Sequence, residues 1–194
     1  VAGVINKYQK RTDGAGDVGT FNDIGDGVYT VYAKNTSVDN LTVQAQYAAI
    51  DNLGGSDIDA IYADASYKLD MVTLAAQAQF TDNGSDTDSD GTLYGVKAVV
   101  ALDGVKLTAA YTTTDDEAAV VRGIGEAAYK TFTGSGTISS GGSSYAADTD
   151  SFLVSASGKI GGVKLALTHA SWDNDATDLN DKETNFTTSY SFTK

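Results

Sequence analysis

The sequence predicts an all-β chain folded as an antiparallel, up-and-down transmembrane β-barrel of about ten strands. Three observations carry that prediction. Apolar and polar residues alternate with a period of two along most of the chain. The connections between alternating runs are by turns tight and long. Aromatic residues sit near both ends of the apolar faces, where two membrane–water interfaces would place them.

The runs follow one another in order. Val1–Lys10 and Val28–Lys34 read as the first two strands, around an acidic, Gly-rich loop at 12–27. From Leu41 one face carries Leu41, Val43, Ala45, Tyr47 and Ala49, and the other Thr42, Gln44, Gln46 and Ala48. The same alternation recurs over Ile61–Leu69, Val72–Phe80, Tyr94–Leu102, Val105–Tyr111, Phe152–Ile160, Val163–Thr168 and Phe186–Phe192. None of these runs has the three- and four-residue spacing of a helical stripe. Leu69-Asp70-Met71, Asp103-Gly104 and Gly161-Gly162 are tight connections. Asp-Gly and Gly-Gly suit two-residue hairpins, whose primed turns need positive φ. The connections at 51–57, 82–91, 115–149 and 173–182 are longer, polar and acidic. Short turns at one end and long loops at the other are the barrel pattern, whereas loops of a β-sandwich need not sort by end. The expected organisation is one domain over 1–194 with a long loop at 115–149 and both termini on the tight-turn side.

Composition narrows the function. The 194 residues include no Cys, which excludes disulfides and thiolate metal sites. Asp and Glu number 26 against 13 Lys and Arg, a net charge of −13. Phosphate backbones reward cationic surfaces, so nucleic acid is not an expected partner. No apolar run approaches the roughly 20 residues of a transmembrane helix. The start at Val1, without a basic and apolar leader, is what a mature chain or a portion of a longer one would show.

In a membrane barrel the apolar face meets lipid and the polar face meets the lumen. Tyr47, Phe80, Tyr94, Tyr111 and Phe152 lie on the apolar face beside the long loops; Tyr67, Tyr190 and Phe192 lie on it beside the tight turns or the terminus. The polar face supplies the candidate pore lining. Gln44, Gln46, Asp64, Gln77 and Gln79 fall along its middle and upper parts. Lys97 joins them, and Lys68, Lys106, Lys159 and Lys164 lie close to tight turns. Lysines at strand ends also discourage edge pairing, which is the plainer reading of the last four.

The segments "LTVQAQYAAID", "ADASYKLDMVTLAAQAQFTDNG", "LYGVKAVVALDGVKLTAAYTT", "SFLVSASGKIGGVKLALTHASW" and the closing "NFTTSYSF" resemble the trimeric porins of Gram-negative outer membranes, the Campylobacter-type major outer membrane proteins among them. The resemblance implies a bacterial outer-membrane location, lipid and lipopolysaccharide as surroundings, a homotrimer, and passive diffusion of small solutes or ions. It implies a wall of about 16–18 strands, so ten would form a small barrel or part of a porin. Porin-like chains close on a strand ending in an aromatic residue; Tyr190 and Phe192 fit, but Thr193 and Lys194 follow. In porins a long loop folds inward and narrows the pore. That would put Asp116, Glu117, Arg122 and Glu126 of the 115–149 segment at a constriction; the alternative is an exposed surface loop. The start of this segment, Asp116–Lys130, could form a short helix, while 134–144 is Gly/Ser-rich.

Asp86, Asp88 and Asp90, ahead of Gly91, match the first half of a calcium loop, making Ca²⁺ a candidate ligand. The position for the bidentate Glu holds Lys97, so a solvated acidic loop is the simpler reading. Asp173, Asp175, Asp178 and Asp181 form a second such cluster. No enzyme is expected: His169 is the sole histidine, shares the apolar side with Leu167, and has no oriented partner set for nucleophilic chemistry. The expected function is a weakly cation-selective diffusion channel. The alternative is a narrow or plugged surface barrel that serves as an adhesin or structural protein.

Overall fold

The computed structural model describes all residues except 1, 7–8, 13–19, 24–26, 54–55, 85–89, 120–130, 135–143 and 191–194; for the strands within 2–23, and for 28 and 52–53, it describes the backbone alone. Twelve strands follow one another: β1 (Ala2–Asn6), β2 (Gln9–Thr12), β3 (Thr20–Asp23), β4 (Gly27–Asn35), β5 (Leu41–Leu53), β6 (Ser56–Leu69), β7 (Val72–Asp82), β8 (Gly91–Leu102), β9 (Val105–Thr114), β10 (Thr149–Ile160), β11 (Val163–Asn174) and β12 (Leu179–Tyr190). Strands β4 to β12 pair antiparallel in chain order, and β1 adds to the free edge of β4, giving a ten-stranded sheet. β2 and β3 form a separate hairpin. The sheet is open, with β1 and β12 as its two edges. Among the described residues no helix is long and apolar enough to cross a membrane.

The period of two in the sequence becomes two faces in space. On β6, Ile61 is 54% exposed while its neighbour Tyr62 is 1% exposed. Val43, Tyr47, Leu74, Phe80, Val96, Tyr111, Val154 and Leu167 are likewise exposed on the outer face. Gln46, Asp64, Gln77, Gln79 and Thr112 are buried on the inner one. Apolar residues out and polar residues in is the reverse of a soluble sandwich and suits lipid as solvent. Leu74, Val100 and Leu165 are not packed between two sheets, since a single sheet carries all of them.

The tight turns keep their predicted places, but only one central residue in each has positive φ: Asp70 at 50°, Gly104 at 75° and Gly161 at 59°. Type I′ turns need two, so these are not I′ turns. Two of these turns also bond to the neighbouring strand: Ala101 N donates to Met71 O at 2.8 Å and Lys159 N to Gly104 O at 3.4 Å.

Three sequence expectations need correction. The loop expected at 12–27 contains β3, which pairs with β2, so the run Val1–Lys10 splits into β1 and the start of β2. The long connections expected at 51–57 and 173–182 are mostly strand: β5 and β6 run to Leu53 and from Ser56, and β11 and β12 run to Asn174 and from Leu179. Asp and Asn suggested loop there. In a barrel, however, strands continue past the membrane into water, where carboxylates cost little. Tyr47 and Tyr111 hydroxyls on the outer face donate to Asp59 and, at 2.7 Å, to Asp150, tying these rims together. The segments 83–90 and 115–148, and the one holding the β2–β3 hairpin, remain as the long connections at that end.

Candidate pore lining and inserted connection

The inner face is built from alternate residues of neighbouring strands. Gln44 on β5 and Asp64 on β6 are register partners, as are Asp64 and Gln77 on β7. Gln44 Nε2 and Tyr62 Oη both donate to Asp64 Oδ2, the latter at 2.7 Å, and Tyr32 Oη donates to Gln44 Oε1 at 2.8 Å. A carboxylate accepting two donors is held in one orientation. Above this network Gln46 Nε2 donates to Thr30 Oγ1 at 3.0 Å.

The β9–β10 connection does not stand off in solvent where it is described. Gln79 Nε2 donates to the carbonyl of Ala119 at 2.6 Å. Leu93 of β8, Ala119 and Tyr145 form a buried apolar cluster. Gly91 is required beneath it: a Cβ there would lie 2.4 Å from the Ala118 carbonyl oxygen. Deeper in, Thr133 and Thr112 share a hydrogen bond of 2.8 Å, and Thr131 and Ser144 share one of 3.0 Å. Thr131 N donates to Tyr145 Oη at 3.1 Å. Phe132 lies on Lys97, whose Nζ is 4.1 Å from the ring centroid, a cation–π contact. Thr114 Oγ1 accepts from Thr149 N at 2.8 Å, and Asn174 Nδ2 donates to Ala147 O at 2.7 Å, anchoring the return into β10. The connection therefore packs on the inner wall over several strands.

Between this inserted segment and the sheet lies a cavity of about 650 Å³, lined by Lys34, Gln44, Asp64, Lys97, Lys106 and Phe132 among others. Of the predicted pore-lining residues, Gln44, Asp64, Lys97 and Lys106 thus come together. Gln46, Gln77 and Gln79 point to the same side but are buried. Lys159 and Lys164, with Lys106, line a separate hollow of about 560 Å³ at the tight-turn end. Lys68 is exposed there, opposite Thr73. Of the constriction residues, Asp116 is exposed and Glu117 half-buried. Arg122 and Glu126 lie outside the described residues, as do most of the expected 116–130 helix and the Gly/Ser-rich stretch. Asp90 is exposed, and Asp86 and Asp88 lie outside the described residues. Among the described residues no group of three His, Cys, Asp or Glu side chains is placed to hold a metal. His169 lies on the outer side with its Nδ1 2.8 Å from Thr184 Oγ1.

The sequence places Tyr62 on the polar face by parity without marking it as pore lining, and it leaves Phe132, Leu153 and Trp172 unassigned as inner residues. Strand parity marks two of these: Leu153 alternates with Phe152 and Trp172 with Ser171. Phe132, on an irregular connection, has no parity to give it away.

No protein-family profile matches the chain, and no curated protein does either. Among solved structures, the chain is similar to OccAB4 of Acinetobacter baumannii, with a TM-score of 0.60 and 13% identity over 97% of this chain. The fold is porin-like. The match spans 48% of the OccAB4 chain, so this chain covers about half the length of that protein. The likeness carries a porin-like fold and not the finer resemblance to Campylobacter-type proteins.

Proposed function

We propose that the chain forms wall of a water-filled channel in a bacterial outer membrane, through which small hydrophilic solutes or ions diffuse without chemistry. The observation that carries this reading is the pairing of an apolar, aromatic-belted outer face with a polar inner face narrowed by an inserted connection. An apolar exterior would be an aggregation hazard in water, whereas lipid covers it. The inner network fixes the orientation of Asp64, and the cavity beside it is polar enough to hold water and a solute.

Charge is sorted along the strands. Carboxylates concentrate in the long connections and at the adjoining strand ends, while Lys68, Lys106, Lys159 and Lys164 lie towards the tight turns. A solute entering from the long-connection end meets negative potential first, which favours cations at that mouth. The cavity itself is lined by three lysines and one aspartate, which opposes that preference further in. Weak rather than strong cation selectivity is the expected net result. Planar-bilayer recordings test the reading: stepwise conductance is expected, and a protein that inserts without conducting would overturn it. That second outcome would favour a plugged barrel, a reading supported by the hydrogen-bonded insertion at Gln79 and Thr112.

A further inference from the structure

We propose that the cavity between the inserted connection and the wall is a binding subsite for phosphomonoesters of small polyhydroxy compounds. This names a solute class for the channel read above, and so rests on that reading. The cavity of about 650 Å³ carries its charges on two separate flanks. On one, Lys34 of β4, Gln44 of β5 and Asp64 of β6 follow one another in register. On the other, Lys97 and Lys106 come from β8 and β9. Neighbouring strands lie about 4.8 Å apart, so the backbones of β6 and β8 are separated by roughly 10 Å. Among the described residues Asp64 makes no ion pair with any of these three lysines.

Each flank has a chemistry of its own. Asp64 is 9% exposed, and both of its described donors, Gln44 Nε2 and Tyr62 Oη, go to Oδ2. A buried carboxylate oxygen without a donor is costly, and a solute hydroxyl reaching Oδ1 from the cavity supplies one. The formal charges of Lys34 and Asp64 cancel, so this flank suits a neutral, hydroxyl-bearing body. On the opposite flank Lys97 and Lys106 sum to two positive charges, and no carboxylate lines the cavity beside them among the described residues. Phe132 lines the cavity too and lies 4.1 Å from Lys97 Nζ, which places that ammonium against the connection. A phosphomonoester carries about −1.5 to −2 charges at pH 7, matching the pair. A carboxylate monoanion leaves one ammonium unmatched. The type of cation points the same way. No arginine is among the described lining residues. Arginine's planar fork reads a carboxylate through two parallel bonds, whereas lysine binds phosphate as a point charge. A zwitterion would bring one negative charge to two ammonium groups and a positive charge to a flank already neutral.

The test titrates the full chain, folded in micelles of a phosphorus-free detergent, with glycerol phosphate. Binding is read from broadening of the ligand's phosphorus NMR line, and folding of each variant is checked by heat-modifiable gel mobility. Saturable broadening is expected. Lys97→Gln and Lys106→Gln should each weaken binding roughly 10-fold or more, the loss of one charge-assisted contact. Lys164→Gln, in the separate hollow at the tight-turn end, should leave it unchanged. Asp64→Asn should lower the affinity for glycerol phosphate but not for inorganic phosphate, a split that misfolding would not produce. A parent protein that broadens nothing, or folded Lys97→Gln and Lys106→Gln variants that bind as the parent does, would overturn the proposal. So would inorganic phosphate binding as tightly as glycerol phosphate, because the hydroxyl flank would then have no part. Tighter binding of glycerate or serine, read by competition, would give the cavity to carboxylates or zwitterions and overturn it as well. KCl conductance in planar bilayers reads the channel separately: binding without conductance would sink the channel, and conductance without binding would sink the subsite.

Discussion

Replacing Thr112 by Val probes whether the inserted connection is held by its polar contacts. Thr112 and Thr133 are both fully buried, and their hydroxyls share one hydrogen bond at 2.8 Å. Valine keeps the shape of the β9 side chain and removes only the hydroxyl, so no cavity opens. Thr133 Oγ1 then loses this partner in a buried place, at a cost of about 1–3 kcal/mol. All of that cost falls on the docked state, because an undocked Thr133 would be hydrated. The undocked population should therefore rise roughly 5- to 150-fold. Phe132, adjacent in sequence and stacked on Lys97, would move with it. In planar bilayers Thr112→Val is expected to show added flicker between conductance levels. Thr113→Val, on the outer side of the same strand, serves as the control and should leave the trace unchanged. Equal noise in Thr112→Val and the parent would refute the docking argument.

Gly91→Ala places a methyl against the Ala118 carbonyl at 2.4 Å, so the connection must shift at an overpacking cost of about 1–3 kcal/mol. Urea unfolding in micelles should show the loss, and an unchanged midpoint would mean that the connection does not rest on β8. Val96 is 56% exposed at the middle of β8, so Val96→Lys should lower folding stability in lipid vesicles by about 2–4 kcal/mol; a neutral effect there would argue against lipid on that face. Lys97→Gln removes one of the three cavity lysines, so reversal potentials under a KCl gradient should move towards cation preference. The shift should persist better at high salt than that from neutralising Asp116, which is exposed and screened over about 8–10 Å. A move towards anion preference would remove Lys97 from the control of selectivity.

The strand plan was legible because a half-solvated sheet leaves a period of two in the sequence, and β5 to β10 follow the predicted alternation. Orientation was legible from the aromatic positions, since Tyr47, Phe80, Tyr94, Tyr111 and Phe152 are all exposed on the outer face. Strand ends were read too short wherever carboxylates begin. At Asp59, Asp173 and Asp181 hydrogen-bonded pairing outlasts the apolar pattern, because the ladder is a backbone property and water outside a membrane tolerates any side chain. The site was legible in part. Gln44, Asp64, Lys97 and Lys106 could be assigned to one face by parity, but their convergence on one cavity depends on the path of the 115–148 connection, which has no period to read. The buried glutamines show the same limit. Gln77 and Gln79 lie on the inner face as expected, yet Gln79 is covered by Ala119, forty residues further along the chain.

The inserted connection and the outer face have a common physical origin. A sheet that turns its apolar side to lipid has to fill its polar side with something other than a hydrophobic core. Small barrels fill it with side chains from the wall, and wide ones leave water. This sheet takes an intermediate course. Tyr32, Gln44, Tyr62 and Asp64 bond to one another along the wall. The connection brings threonines and one phenylalanine to the part that the wall side chains do not satisfy. The fit between the two is largely polar and local, built from single hydrogen bonds, one cation–π contact and the small apolar cluster of Leu93, Ala119 and Tyr145. Contacts of that kind contribute about 1 kcal/mol each. A few of them suffice to hold a segment in place, and the loss of one is enough to release it. On the proposed channel reading, the described part of the connection is held by fewer bonds than the strand ladder, so it is the part expected to move when passage changes.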